Sequence, residues 1–336
     1  MTSKRVFITG AAGFIGFHLA RRMLEDGWDV AGFDGMTPYY NPKLKEARLS
    51  ILQANGNFFF EKGMLEEEGL LTRLICKLQP DVIVHLAAQA GVRYSIDAPR
   101  SYVTSNLTGT HELLEAARAC PPQHLMMAST SSVYGANTEM PYGETDRAVH
   151  PKSFYAATKI ANEAMAHSYA HLFSLPTTMF RFFTVYGPWG RPDMAPFKFT
   201  KAILNGDPID VYNHGDMQRD FTYIDDLVEG ILRLAEVYPG ADPIGPMDSL
   251  SPVAPFRTVN IGNGAPVHLS EFIKAIEDAT GLVADRNFLP MQPGDVHATW
   301  SKSQLIEALV GKLPHTDIRD GVAAFVDWYR GWNDRP

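Results

Sequence analysis

The sequence predicts an α/β protein with a doubly wound parallel sheet and a smaller, partly interleaved α/β lobe. Three observations support this fold class. Short apolar runs alternate with helical patterns over the first 183 residues, as expected for parallel strands joined by crossover helices. A glycine-rich turn joins the first apolar run to the first helical pattern, which is typical of the Rossmann type of this fold. Beyond residue 183 the alternation weakens, which indicates the added lobe.

The predicted elements follow in chain order. In the first part we expect strands at Lys4–Thr9, Asp29–Phe33, Asn57–Glu61, Asp81–Leu86, His124–Ala128 and Thr177–Phe182, with helices at Ile15–Glu25, Leu70–Leu78, Tyr102–Ala119 and Tyr155–Leu172. In the second part we expect helices at Met194–Asn205, Ile224–Glu236, Leu269–Thr280 and Ile318–Trp332, with short strands at Ile209–Tyr212 and Thr258–Ile261. Residues 238–255 hold five prolines and two glycines without periodicity, which predicts a long surface loop. We assign residues 1–183 to the first domain, with 214–250 returning to it, and residues 184–213 and 251–336 to the lobe.

Length and composition are those of a globular protein of about two domains. The 336 residues are 45% hydrophobic and 20% charged, and the formal net charge of −8 favours neither a nucleic-acid partner nor a membrane surface. The start of the chain lacks the pattern of a signal peptide, and the apolar run at residues 82–88 is too short to span a bilayer. The two cysteines, Cys76 and Cys120, show no metal-ligand spacing, so we expect reduced thiols and a cytoplasmic location.

Three glycines, Gly10, Gly13 and Gly16, stand between the first strand and the first helix. Their lack of side chains permits a tight turn and lets a pyrophosphate approach free N–H groups at the start of the helix. Asp34 ends the second strand 18 residues after Gly16, where a carboxylate accepts hydrogen bonds from a ribose 2′-hydroxyl and repels a 2′-phosphate. The pattern favours NAD over NADP, with a structural glycine turn and a strand-end cap as the alternatives.

Tyr155 and Lys159 lie four residues apart in a predicted helix, so their side chains share one face. Four consecutive hydroxyl residues, 129–132, stand at the carboxyl end of the preceding strand. Small hydroxyl side chains in that position are suited to hydrogen-bonding a substrate hydroxyl. The alternatives are a core tyrosine beside a snorkelling lysine, and an ordinary serine turn.

These residues together resemble the extended short-chain dehydrogenase/reductase family. The shared segments are Gly10-x-x-Gly13-x-x-Gly16, Asp34, Ser129–Gly135 and Tyr155-x-x-x-Lys159. Further segments narrow the resemblance to the nucleotide-sugar epimerases, and most specifically to the UDP-glucuronate 4-epimerases: Ala90–Ser95, Arg181–Pro188, Arg191–Met194, Gly215–Phe221 and Gln292–Val296. The similarity runs from residue 5 to about residue 330. One departure is Met64 before Leu65, where the family often has an acidic residue that contacts the adenine amino group.

The resemblance implies an isomerase that carries out NAD-dependent 4-epimerisation of UDP-glucuronate to UDP-galacturonate through a transient 4-keto intermediate, with NAD tightly bound and recycled. Tyr155 would take the proton of the sugar 4-hydroxyl, and Lys159 would lower the pKa of that phenol from its ordinary value of about 10. Thr130 would hold the same hydroxyl. The residues implied to bind the cofactor are Gly10, Gly13, Phe14, Ile15, Gly16, Asp34, Leu65, Leu86, Ala87, Ala88, Ser129, Tyr155, Lys159, Phe182 and Val185.

The resemblance also implies a site for the UDP-sugar in the lobe. Arg191 and Thr184, with Ser131 or Ser132, would hold the sugar carboxylate in an orientation that suppresses loss of carbon dioxide from the 4-keto intermediate, which is a β-keto acid. Arg219 and Arg257 would meet the diphosphate. Phe197, Val211, Asn213 and Asp295 would surround the uridine. The full set implied to bind the substrate is Arg93, Thr130, Ser131, Ser132, Thr184, Arg191, Met194, Phe197, Val211, Asn213, Arg219, Arg257 and Asp295.

Partner expectations follow from the same resemblance. The family's dimers pack two helices of each subunit into a bundle, which implies a homodimer through the helices near residues 102–119 and 155–172. His167 and His171 lie one helical turn apart, but no motif places a third ligand near them, so we expect a subunit contact there and no metal. No nucleic-acid or membrane partner is expected.

Other functions stay open. A UDP-glucose/galactose 4-epimerase would have no use for Arg191 as a carboxylate clamp. A UDP-glucuronate decarboxylase or a sugar dehydratase would be expected to carry an acidic residue in the serine stretch, and residues 129–132 contain none. A non-catalytic NAD-sensing scaffold would need only the glycine loop and not the pair of Tyr155 and Lys159.

Overall fold

A seven-stranded parallel sheet forms the centre of the computed structural model, which describes residues 3–292 and 294–333. Pro293, inside the Gln292–Val296 segment, and the ends of the two assigned domains at residues 1–2 and 334–336 lie outside the described residues. The strands are β1 (Arg5–Thr9), β2 (Asp29–Asp34), β3 (Phe58–Lys62), β4 (Val82–His85), β5 (His124–Thr130), β6 (Thr177–Phe182), β7 (Thr184–Tyr186), β8 (Ile209–Tyr212), β9 (Gln218–Tyr223), β10 (Phe256–Ile261), β11 (Pro266–His268), β12 (Arg286–Leu289) and β13 (Ala298–Thr299). The order in the main sheet is β10-β6-β5-β4-β1-β2-β3.

Helices cover both faces of this sheet. They are α1 (Phe14–Glu25), α2 (Pro42–Gln53), α3 (Leu70–Leu78), α4 (Tyr94–Asp97), α5 (Pro99–Tyr102), α6 (Gly109–Ala119), α7 (Phe154–Phe173), α8 (Ala195–Asn205), α9 (Ile224–Leu234), α10 (Leu269–Thr280), α11 (Gln304–Val310) and α12 (Ile318–Asn333). Because successive side chains of a strand point to opposite faces, Val6 and Ile8 of β1 pack with α1 and α9, while Phe7 packs with α3, α6 and α7. The doubly wound fold predicted from the sequence is confirmed.

The lobe has its own sheets and core. Strand β9 pairs with β7, β11 and β13, and β8 pairs with β12. Apolar side chains of β8, α8, α10 and α12 fill the space between them. Helix α9 packs against α1 of the first domain. Strand β10 differs from the expectation, because it pairs in parallel with β6 and is the edge strand of the main sheet.

Two helical segments differ from their predictions. The helix expected at Tyr102–Ala119 is divided into α5, a π-helical stretch at Val103–Thr108, and α6. Within the π-helical stretch the buried Asn106 side chain bonds the backbone of Gln89 at 2.8 and 3.0 Å, which ties the helix to a loop at the carboxyl edge of the sheet.

Helix α2 was not predicted, because its sequence lacks a continuous apolar face. Its start is fixed by Asn41, whose side chain accepts from the Lys43 N–H, and by Pro42 at the first helical position.

Cys76 and Cys120 form a disulfide between α3 and the residue after α6, with Cα atoms 5.3 Å apart. The expectation of two reduced thiols is therefore wrong. The packing of α3 on α6 brings the two residues within bonding reach, and a sequence separation of 44 residues carries no signal of that contact. Among the residues with described structure, no helix combines the length and the apolar character needed to cross a membrane.

Candidate active site

A cavity of about 1330 Å³ lies along the carboxyl edge of the main sheet, between the sheet and the lobe. Open α/β sheets bind their ligands at this edge because the loops that leave neighbouring strands diverge there. The loops after β1, β2, β4, β5 and β6 all contribute side chains to the cavity wall. The lobe closes the other side with residues from α8, β8 and β9.

The turn after β1 brings the chain closely against itself. Gly10 has a φ of +75°, and a Cβ there would lie 2.8 Å from the Ala87 nitrogen. A Cβ on Gly16 would lie 2.1 Å from the Gly10 carbonyl oxygen, so only glycine fits there. Helix α1 begins after Gly13 without a side-chain cap and without an acidic residue in its first turn. Its first N–H groups are therefore available to a phosphate, as the glycine pattern predicts.

Asp34 stands at the end of β2 and is almost fully buried. Its two carboxylate oxygens accept from the N–H groups of Ala12 and Met36 at 3.2 and 2.8 Å, which fixes the side chain at the cavity wall. Lys45 of α2 lies 3.6 Å from the same carboxylate and also lines the cavity. The glycine cradle, the free helix start and this oriented carboxylate fit the pyrophosphate and ribose of NAD.

Tyr155 and Lys159 project from the first turns of α7 into the cavity. Ser153 caps this helix by accepting from the Ala156 N–H at 3.1 Å. The Lys159 ammonium donates to the Ala128 carbonyl at 3.0 Å, and burial lowers its pKa to about 8. Burial raises the pKa of Tyr155, while the charge of Arg191 and a hydrogen bond with Thr130 act in the opposite direction.

Residues 129–132, called the hydroxyl stretch below, lie at the end of β5 and make hydrogen bonds in two different directions. The Thr130 hydroxyl accepts from the Ser132 N–H and donates to the Ser132 hydroxyl, both at 3.2 Å. The Ser129 hydroxyl points the other way and donates to Glu163 at 2.6 Å. Glu163 is in turn held by both ends of the Arg181 guanidinium, at 3.0 and 2.8 Å.

Arg191 reaches the cavity from the loop after β7. Its Nε and Nη2 atoms donate to the two carboxylate oxygens of Asp193 at 3.0 and 2.5 Å. The Tyr39 hydroxyl donates to the same carboxylate at 3.2 Å. Burial lowers the pKa of Arg191, and Asp193 outweighs that effect, so the net shift is upward. Arg191 therefore carries its charge at every physiological pH.

Two further arginines stand at the end of the cavity formed by the lobe. Arg93 lies over the ring of Tyr212 at 4.8 Å and pairs with Asp295 at 3.2 Å. Arg219 donates to the backbone carbonyls of Gln218 and His297. Two cations beside an aromatic ring form a surface that suits a nucleoside diphosphate.

All fifteen residues predicted to bind the cofactor line the cavity. Of those predicted for the substrate, nine do so: Arg93, Thr130, Ser131, Ser132, Thr184, Arg191, Met194, Arg219 and Asp295. The other four lie elsewhere, and each has a physical reason that is given next.

Arg257 is the second residue of β10, so it lies toward the amino end of the strand, away from the cavity, and forms a buried ion pair with Asp248. Val211 points into the core of the lobe because its neighbours in β8, Asp210 and Tyr212, take the alternate positions that face the cavity. Asn213 donates to the Asp216 carbonyl in the following turn. Phe197 packs in an aromatic cluster with three residues of α12.

Several residues at the site were not assigned a role from the sequence. They are Tyr39, Lys45, Tyr102, Glu163, Arg181 and Asp193. Arg181 and Asp193 lie inside segments that carry the family resemblance, and that position in the sequence could have identified them as candidate site residues. His167 and His171, which we expect at a subunit contact, also hydrogen-bond the loop at residues 238–255, through Ser251 and Val253. Within residues 3–292 and 294–333, no group of three or more metal-ligating side chains is found.

Comparison with known proteins adds three relatives. Residues 6–245 match the NAD dependent epimerase/dehydratase family. The chain is 56% identical over 329 residues to a probable UDP-glucuronate 4-epimerase of Rhizobium meliloti (strain 1021), with 97% of this chain and 96% of that protein covered. It is 43% identical to UDP-glucuronate 4-epimerase 4 of Arabidopsis thaliana, with 96% and 75% covered. A solved structure of UDP-glucuronic acid 4-epimerase from Bacillus cereus, in complex with UDP-glucuronic acid and NAD, matches with a TM-score of 0.87 at 32% identity, over 98% of this chain and 99% of that one.

Proposed function

The chain belongs to the NAD-dependent epimerase/dehydratase family, and from that premise we propose that it is a UDP-glucuronate 4-epimerase that forms UDP-galacturonate. One observation carries the choice of substrate. The guanidinium of Arg191 lies close enough to Tyr155 for its charge to lower the pKa of that phenol. A fixed cation beside this phenol suits a sugar that carries a carboxylate at the carbon next to the 4-hydroxyl carbon, whereas a neutral sugar offers the cation no charged partner.

The glycine turn and Asp34 would hold NAD, which when bound would supply a ring able to accept a hydride from carbon 4 of the sugar and return it. Tyr155 takes the proton of the 4-hydroxyl. It returns that proton after the 4-keto sugar has rotated to present its other face. Lys159, whose pKa burial lowers to about 8, is an ammonium at neutral pH, and its charge favours the phenolate form of Tyr155. Thr130 hydrogen-bonds the same hydroxyl.

Arg191 and Thr184 hold the sugar carboxylate. Since the 4-keto intermediate is a β-keto acid, it loses carbon dioxide when the carboxylate bond stands perpendicular to the ketone. A carboxylate that is held away from that orientation is not lost as carbon dioxide. Glu163 contacts the hydroxyl stretch through Ser129, and its other carboxylate oxygen is held by Arg181, which argues against a decarboxylase or dehydratase.

A UDP-glucose/galactose 4-epimerase is the second candidate. It is favoured by the pairing of Arg191 with Asp193, because an arginine that already has a carboxylate partner does not require one on the sugar. The two functions differ only in the preferred substrate, so direct comparison of the two sugars separates them.

The assembly and location follow the same proposal. Helices in the ranges 102–119 and 155–172 present exposed apolar side chains, among them Val103 and Leu172, and these support a homodimer through this face. The cytoplasm is the proposed location because NAD and UDP-sugars are metabolites of that compartment.

Incubation with UDP-glucuronate, followed by chromatography and proton NMR of the products, is expected to yield UDP-galacturonate. Absorbance at the NADH wavelength should stay flat during turnover, because the hydride returns to the sugar. NADH formed in proportion to product would point to a dehydrogenase, and UDP-pentose as the main product to a decarboxylase. Faster turnover of UDP-glucose would favour the second candidate.

Gly16→Ala is expected to weaken NAD binding about 5–150-fold, since overpacking costs about 1–3 kcal/mol and the added Cβ would lie 2.1 Å from the Gly10 carbonyl oxygen. NAD content after gel filtration and calorimetric titration of the stripped protein measure the loss. Gly56→Ala is the matched control, because a Cβ there meets nothing within 4 Å. Equal NAD content in both variants would contradict the assigned role of the turn.

A further inference from the structure

Glu163 forms the centre of a buried cluster behind the hydroxyl stretch. It lies on α7, one turn after Lys159 and two turns after Tyr155. Its side chain is 13% exposed, and the side chain of its partner Arg181 is 6% exposed. Arg181 is itself anchored by donating to the Glu144 carbonyl at 3.2 Å and by lying 4.8 Å from the ring of Tyr134. The bidentate pair is therefore fixed by its surroundings.

The first consequence concerns Ser129, which lines the cavity. An ionised carboxylate can only accept hydrogen bonds, so the 2.6 Å contact between the Ser129 hydroxyl and Glu163 commits the serine proton to Glu163. The serine oxygen then has only lone pairs left for the cavity. Ser129 can accept a hydrogen bond from a bound molecule but cannot donate one while Glu163 is ionised.

The second consequence concerns Lys159, whose ammonium sits in a buried position and donates to a single carbonyl. Burial acts to deprotonate it, and Glu163 acts in the opposite direction. On the side of the sheet, Arg181 of β6 donates its hydrogen bonds to Glu163. Burial lowers the pKa of His85 on β4 to about 3, so its imidazole is neutral. Tyr155 lies one turn before Lys159 on the same helix, and Tyr102 and Arg191 face Tyr155 from the cavity side. The nearby negative charge that acts on Lys159 thus comes from Glu163.

We propose that Glu163 is a positioning residue for the epimerisation: its carboxylate, fixed by Arg181, holds the Ser129 hydroxyl as an acceptor toward the cavity and supplies the negative charge that keeps Lys159 an ammonium. The proposal rests on the proposed function for its kinetic meaning. Its electrostatic part concerns the chain alone and can be measured without any sugar.

The decisive variant is Glu163→Gln, which keeps the shape of the side chain and removes its charge. Loss of an opposite charge at close range should lower the pKa of Lys159 by about one unit. Because Lys159 acts as an ammonium, the activity of the wild type should fall as pH rises through the pKa of Lys159, and the alkaline limb of the kcat profile should begin about one unit lower in the variant. Nuclear magnetic resonance of lysine labelled with ¹³C at Cε, with the Lys159 signal assigned by Lys159→Arg, reports the same shift directly.

Ser129→Ala is the matched control. It removes the hydrogen bond to Glu163 but leaves the charge, so kcat should fall while both the alkaline limb and the Lys159 signal keep their wild-type midpoints. A purely structural Glu163 would give lower activity with unchanged midpoints in the Gln variant as well, and that result overturns the proposal.

The proposal can be tested even if the Glu163→Gln variant does not fold. If Glu163→Gln leaves Arg181 unpaired and the protein unfolds, the double variant Glu163→Gln/Arg181→Gln removes both buried charges together, which is far better tolerated. The Lys159 midpoint should fall there as well, by less than in Glu163→Gln because the positive charge of Arg181 is lost with the negative charge of Glu163, and a midpoint that does not fall rejects the proposal. Should the wild type not convert UDP-glucuronate at all, the proposed function falls, while the resonance titration still tests the electrostatic role of Glu163.

Discussion

Tyr155→Phe is expected to lower kcat on UDP-glucuronate by about 10²–10⁴-fold, the usual effect of removing a positioned acid–base group. Phenylalanine keeps the ring, which packs edge-on against Tyr102 at 6.0 Å between ring centroids, and loses only the hydroxyl. The two groups described beside Tyr155 are poorly suited to take over the proton. Lys159 is held by the Ala128 carbonyl, and the Thr130 hydroxyl has an ordinary pKa far above neutral pH.

NAD binding should survive this substitution, because the glycine turn and Asp34 do not depend on the phenol. Single-turnover kinetics and NAD content of the purified variant separate the two effects. Tyr169→Phe is the control on the same helix: its hydroxyl donates to Glu115 on α6, away from the cavity, and kcat should stay within about twofold of the wild type. Near-normal turnover of Tyr155→Phe would assign the proton transfer to another residue.

The residues that the sequence assigns to the cofactor, all of which line the cavity, share one property. Gly10, Gly13, Gly16 and Asp34 act through the local geometry of a strand end and a helix start, and that geometry is encoded within a few neighbouring residues. Tyr155 and Lys159 likewise depend on one helical turn. For such features sequence spacing and spatial position are nearly equivalent, so the positions of these residues at one end of the cavity could be predicted from the sequence.

The substrate side depends on how separate elements pack, and there the prediction was less complete. Arg257 belongs to β10, whose insertion beside β6 at the edge of the main sheet no local pattern indicates. Val211 and Tyr212 differ by one position in a short strand, and a single step reverses which side chain faces the cavity. Glu163 and Arg181 meet only because α7 crosses β6, and the Cys76–Cys120 disulfide exists only because α3 packs on α6.

Arg191→Ala is expected to reduce kcat/KM on UDP-glucuronate by roughly 30–150-fold, since a charge-assisted bidentate pair contributes about 2–3 kcal/mol and about 1.4 kcal/mol corresponds to tenfold. A second effect accompanies it. The charge of Arg191 lowers the pKa of Tyr155, so its removal slows proton transfer for every substrate. UDP-glucose has no carboxylate and should show only this second effect.

The ratio of the two specificity constants therefore isolates the carboxylate contact, because the effect on Tyr155 is common to both sugars and cancels. Arg191→Lys sharpens the comparison: it keeps a positive charge near Tyr155 but cannot form a two-point contact, so the ratio should still fall while UDP-glucose turnover recovers. Mass spectrometry should also detect UDP-pentose from Arg191→Ala, as the 4-keto acid loses carbon dioxide once its carboxylate can rotate. An equal reduction of kcat/KM on both sugars, with no UDP-pentose, would mean that Arg191 acts only by pairing with Asp193 and by lowering the pKa of Tyr155. In that case the preference for a uronic acid must come from another part of the cavity, and the UDP-glucose/galactose 4-epimerase becomes the better description.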